Sequence, residues 1–198
     1  MTKNRNIIDL SVGFSFPHET ISFIKKFFSI DTMGIYDNRM LSNEKDSLVL
    51  RIQNTKGGII TTKNNHFYLY YQDFQGNLEN TYGNTDILTI NDFFNSKSLL
   101  RKLAGKNIGF EFLVSKLRYL NISEIGRWFS YLKYFYGLCK RYRHQLILSS
   151  GAKNIYELIS LRIINSILDK LEVSSTEYWS DLNQWLFRKK RGLIYDPL

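Results

Sequence analysis

The sequence has one cysteine, Cys139, and three histidines, His18, His66 and His144, in 198 residues. A lone thiol cannot close an internal disulfide, and it cannot supply a cysteine-based zinc site. The histidines stand far apart, without the HxH or HExxH spacing that brings imidazoles onto one metal. No apolar run approaches the roughly 18 residues of a membrane span. Only Ile7 and Ile8 follow the basic start before Asp9, too little for the apolar region of a secretory signal. P-loop, dinucleotide and nucleophile-elbow patterns are absent, as are repeats, linkers and low-complexity tracts. These absences lead us to expect a cytoplasmic chain in a reducing compartment, folded as a single domain over residues 1–198.

What is present is apolar and basic. Hydrophobic residues make up 43% of the chain, enough for a packed core. The net charge is +9 and the pI is near 9.5, the footprint of a nucleic-acid partner, although an acidic membrane surface or protein would also suit it. Aromatic residues reach 15%, mostly expected in core and strands, with a minority available to stack on bases.

The apolar pattern alternates between strand and helix. Asn6–Phe14 reads as a strand, and Pro17-His18-Glu19 as the opening of a helix carrying Ile21, Phe23, Ile24, Phe27 and Phe28. Ile35-Tyr36 begins a short strand, and Asp37–Asp46 reads as a loop. Leu48–Ile52, Ile59–Thr62, His66–Tyr71 and Asp86–Ile90 read as strands, with a turn at Gly57-Gly58 and a polar loop over Gln75–Asn84. The alternation then becomes regular: helix Ser98–Ala104, strand Ile108–Phe112, helix Ile122 to about Arg143, strand Leu146–Ser150, and helices Ser160–Leu171 and Ser175–Phe187. Ser174–Glu177 has the form of a capping box, and residues 188–198 follow as a basic tail. Strands separated by helices predict a parallel α/β sheet, and about seven or eight strands suit a small irregular barrel. A doubly wound open sheet would show a similar pattern.

Asp9, Asp86 and Glu111 lie on or beside strands, where they could act as metal ligands in a metal-dependent phosphoesterase. Such a site also needs imidazoles, and otherwise these acids would hydrogen-bond inside the barrel or pair with Lys and Arg. Cys139, between Tyr136 and Tyr142 on a helix, suits a small core residue. The segment Leu146–Asn154 is more informative. A strand ends in Ser149 and Ser150, then Gly151 lets the backbone approach a ligand, then Lys153 follows, a pattern that can accept phosphate or simply form a polar turn. Two basic clusters, Lys140–Arg143 and Arg188–Arg191, each sit beside aromatic residues, an arrangement suited to RNA. The first also fits a solvated helix end, whereas four consecutive cations exceed what a helix end requires.

Several of these segments carry a resemblance. Asp86-Ile87-Leu88, the Leu99–Ala104 helix and Ile108–Phe112 resemble the "DIL" strand, "LAxK" helix and "(I/V)xxEI" strand of the barrel-fold protein subunit of archaeal and eukaryotic ribonuclease P. That group is the ribonuclease P protein component 3 family. The stretch from Gly137–Tyr142 through Leu146–Leu148 to Ser149–Leu158 resembles the family's "ARKY…SGA" region. The resemblance covers Asp86–Leu171, with an echo at Asp9. Where the family has Arg-Ser-Pro-Arg, this chain has Ile159-Ser160-Leu161-Arg162.

The resemblance implies an irregular TIM-like barrel, related to metal-dependent phosphoesterase barrels but without their metal site. It implies a non-catalytic subunit that supports a catalytic RNA in the endonucleolytic removal of the 5′ leader of precursor tRNA. Mg²⁺ would sit on the RNA, and no cofactor on this chain. Partners would be the ribonuclease P RNA, precursor tRNA and other protein subunits, especially a small ribonucleoprotein-fold subunit. Ser149, Ser150, Gly151, Lys153 and Arg162 are the expected RNA or partner surface, with Lys189 and Arg191 as a second group.

Overall fold

The computed structural model describes residues 6–14, 20–36, 48–53, 67–74, 85–91 and 93–192. The readings of a helix start at Pro17, loops over Asp37–Asp46 and Gln75–Asn84, a turn at Gly57-Gly58 and a strand at Ile59–Thr62 fall outside them.

Seven parallel strands follow one another around a sheet in chain order. They are β1 (Ile8–Val12), β2 (Thr32–Ile35), β3 (Leu48–Gln53), β4 (Tyr68–Asp73), β5 (Ile87–Thr89), β6 (Gly109–Leu113) and β7 (Gln145–Ser149). Both β1 and β7 are buried along their whole length, as strands covered on two faces must be. The sheet curls until β7 meets β1. Gly13 N donates to Ala152 O at 2.7 Å, and Ala152 N donates to Ser11 O at 3.2 Å, in a parallel bridge between Val12 and Ala152. The result is a nearly closed, TIM-like α/β barrel, so the open-sheet alternative falls.

Among the described residues five α-helices surround it: α1 (Thr20–Phe28), α2 (Phe93–Lys102), α3 (Ile122–Tyr142), α4 (Leu161–Lys170) and α5 (Ser175–Gly192). Their apolar stripes bury onto the outside of the strands. Trp128, Leu132, Phe135 and Cys139 form the buried stripe of α3, and the Phe135 ring meets Phe112 edge-on at 4.9 Å. On α5, Tyr178, Trp179, Leu182, Trp185 and Leu186 are buried. Ile21 and Ile24 of α1 join a smaller cluster with β2 and β3. Asn121 caps α3, accepting from Glu124 N at 2.9 Å, while Asn121 N donates to Glu124 Oε2 at 2.8 Å.

Two helices differ from their sequence-based bounds. The first turn of α2 comes before Ser98, because the Phe93 ring stacks on Phe112 at 5.1 Å and tertiary contact extends the helix. At the other end of the chain, α5 runs through Arg188–Arg191 to Gly192 instead of stopping at Phe187. Arg and Lys are good helix formers, and cations are favoured near a helix C-terminus. Lys189 also anchors that turn by pairing with Asp86 at 2.7 Å. The basic run is therefore helical up to residue 192 rather than a tail from residue 188.

Candidate nucleic-acid interface

The barrel interior holds a buried ion pair. Arg51 of β3 and Glu111 of β6 meet at 2.6 and 2.9 Å, both side chains wholly shielded from solvent. Thr89 Oγ1 donates to Glu111 Oε2 at 3.0 Å, and Ser149 Oγ donates to Oε1 at 2.7 Å. Each carboxylate oxygen thus takes two bonds, which fills its acceptor capacity. The guanidinium also donates to Leu10 O and lies over the Tyr71 and Tyr36 rings, at 4.6 and 5.0 Å from their centroids. Burial disfavours the Arg51 charge, but Glu111 more than offsets this and holds the group charged. Burial pushes the Tyr36 hydroxyl up to about 12, with Arg51 pulling the other way.

The other two acids are also engaged. Asp9 Oδ1 accepts from Ser150 N and Ser11 N, each at 3.1 Å, so its carboxylate bridges the seam between β7 and β1. Its Oδ2 is buried with no hydrogen-bond partner, and burial raises the group to about 6. Asp86, at the opposite end of the barrel, accepts from Tyr70 N at 2.9 Å as well as from Lys189. Among the described residues, no group of three or more His, Cys, Asp and Glu could hold a metal ion. Glu111 and Asp86 are held in ion pairs and Asp9 Oδ1 in hydrogen bonds.

The loop after β7 leaves the C-terminal rim of the barrel. Ser149 and Ser150 are fully buried, and Ser150 Oγ donates to Ser11 O at 3.1 Å, so both hydroxyls act inside the protein. Gly151 takes φ +64, a left-handed conformation that favours glycine, and a Cβ there would lie 2.8 Å from Ser115 Oγ. The chain then surfaces. Lys153 is exposed, and its backbone N–H donates to Glu157 Oε2 at 2.8 Å. Arg162 is exposed on the first turn of α4. Lys189 is mostly buried by its pair with Asp86 at the N-terminal end of the barrel. Arg191 lies in α5, with its side chain outside the described residues. The structure thus groups Gly151 and Lys153 on one rim, with Arg162 on the helix that follows, and sets Lys189 at the other end.

Sequence reasoning missed Arg51, although a charge inside the apolar run Leu48–Ile52 was a usable signal. It also passed over Arg118, Tyr119 and Tyr156. Arg118 Nη2 donates to Tyr156 O at 3.0 Å, joining the loop after β6 to the loop after β7. Ser115 N donates to Ser150 O at 2.9 Å between the same loops. Lys140, in the first basic cluster, bridges Glu177 and Asp181 of α5 at 2.6 Å each, in keeping with a solvated helix end.

No protein-family model matches the chain, and no curated protein matches it. Among solved structures, it is similar to a chain of a cryo-EM structure of archaeal ribonuclease P with mature tRNA. The identity is 15% and the TM-score 0.66, over 92% of this chain and 89% of the other. At that identity the likeness is one of fold.

Proposed function

We propose that this protein is a subunit of ribonuclease P and supports a catalytic RNA without carrying out cleavage itself. The observation that supports this most is the likeness of fold along nearly the whole chain to a chain of the ribonuclease P structure. The +9 charge and the Ser149–Leu158 resemblance point the same way. The phosphoesterase alternative is not favoured, because Glu111 is saturated by Arg51, Thr89 and Ser149, Asp86 is held by Lys189 and Tyr70 N, and Asp9 Oδ1 accepts from Ser11 N and Ser150 N.

In this reading, exposed cations neutralise RNA phosphates, release counterions and lower the Mg²⁺ that the RNA needs to fold and react. Lys153 and Arg162 are the assigned contacts on the C-terminal side, with Gly151 setting the loop's path. Ser149 and Ser150 hold the base of that loop, and Lys189, which would have to leave its pair with Asp86, and Arg191 are the secondary proposed contacts. The partners are ribonuclease P RNA, precursor tRNA and the other protein subunits, including the small ribonucleoprotein-fold subunit, in the cytoplasm. Among the described residues, no helix is long and apolar enough to cross a membrane.

The test is reconstitution from the RNA and the remaining proteins at limiting Mg²⁺, with and without this chain. Faster 5′ cleavage of precursor tRNA on addition, with no cleavage by the chain alone, is the expected result. Unchanged cleavage would remove the subunit reading. Replacing Lys153 and Arg162 together with alanine is expected to reduce the salt dependence of RNA binding by about two units of log–log slope. An unchanged slope would take those two residues out of the interface.

A further inference from the structure

Two tyrosine rings on the C-terminal side are the most exposed aromatic side chains among the described residues. Tyr156 is 88% exposed and Tyr119 is 80% exposed. Rings left this open bury little apolar area within their own chain. They are nevertheless carried on fixed backbone. Tyr119 ends the 3-10 turn Val114–Tyr119 after β6, and Tyr156 lies in the 3-10 turn Ile155–Glu157 after β7. Asn154 Oδ1 accepts from Tyr156 N at 3.0 Å, and the Arg118 bond to Tyr156 O ties the second turn to the first. A further bond, Ser115 Oγ to Gly151 O at 3.3 Å, joins the bases of the two loops.

The same surface carries cations. Arg118 and Lys153 are exposed, and half-buried Lys116 is held by Asn91. Two of the acids nearby are engaged locally. Glu157 accepts from Lys153 N and Asn154 Nδ2, and Glu124 caps α3. Rings and cations are thus interleaved on two braced loops. Protein-binding cores place aromatics where charge is depleted, and duplex RNA is held mainly through phosphate and 2′-hydroxyl contacts. Rings for bases with cations for the backbone between them suit an unpaired strand.

We propose that this surface binds unpaired RNA, with Tyr119 and Tyr156 stacking on bases and Arg118 and Lys153 neutralising the adjoining phosphates. The identity of that RNA rests on the ribonuclease P reading, whereas the binding chemistry does not.

The experiment is fluorescence anisotropy of the full chain with a short labelled unpaired RNA and, separately, a duplex of equal length. Each of Tyr119→Ala and Tyr156→Ala is expected to weaken binding of the unpaired strand about tenfold, and the double variant about a hundredfold. Duplex affinity should move by less than about twofold. Tyr119→Phe with Tyr156→Phe should retain strand affinity, because a phenyl ring still stacks. Thermal melts identify any variant that has lost its fold. The proposal is overturned if the parent binds no unpaired RNA, or if the folded double-alanine variant binds it as tightly as the parent. Parallel loss of both RNAs would also overturn it. A negative reconstitution test alongside a positive stacking result would discard the subunit role and leave this site standing.

Discussion

Arg51 shows how much one side chain decides. Removing either partner of its pair leaves the other charge buried and uncompensated. Arg51→Met or Glu111→Gln alone should each cost about 3–5 kcal/mol in denaturant unfolding. A double replacement by well-packed apolar residues should recover most of that loss; equal losses in single and double variants would contradict the assignment. Asp9 behaves in the opposite sense. Its native carboxyl titrates near 6, against an ordinary value of 3.8. Between these values the native state holds a proton that the unfolded chain has released, so stability rises as pH falls through 6 and levels off below the ordinary value. The gain amounts to at most about 3 kcal/mol. Asp9→Asn should remove this slope, which is read by comparing urea unfolding of the two proteins from pH 7 down to pH 4. Persistence of the slope in the variant would assign it to another group.

Elements whose local and tertiary preferences agree were legible in the sequence. In α3, the apolar spacing from Ile122 predicts a helix, and the Asn121–Glu124 cap found in the structure starts it at that place. The strand and turn read over Leu146–Asn154 were legible for the same reason, the strand forming over Gln145–Ser149. Gly34 in β2 obscured that strand, because its value is a close approach to the Leu10 backbone rather than strand propensity. The early start of α2 depends on the Phe93 ring finding Phe112, a partner in another element. The site divides similarly. The Ser149–Lys153 loop stood out, but burial of its serines did not, nor did exposure of Tyr119 and Tyr156, since accessibility arises only on folding. Gly151→Ala tests the loop directly. Its left-handed φ and a Cβ 2.9 Å from Leu113 Cβ should destabilise the fold by about 1–3 kcal/mol, measured by thermal or urea unfolding. A neutral result would show that the loop can re-form in another shape.

On the scale of the whole molecule, α5 holds the two ends of the described chain together. Asn183 Nδ2 donates to Asn6 O at 2.7 Å, Lys189 reaches Asp86, and Trp185 lies beneath Gly109. A chain ending at Ser174 would lack the buried Tyr178, Trp179, Leu182, Trp185 and Leu186, leave the apolar surface they cover open to water, and should lose its cooperative melt. One ending at Phe187 keeps all five and should retain that melt, at lower temperature for want of the Lys189 pair. Calorimetry distinguishes the two outcomes. The strand order has a kinetic consequence as well. Every neighbouring pair from β1 to β7 can zip as the chain grows, and only the closure of the β7 end on β1 must wait. The seam where Asp9 receives Ser150 N joins residues 141 positions apart. Contacts that distant in sequence form late, so folding should advance from strand to strand and then pause, with β1 among the first pieces formed and the last to be enclosed.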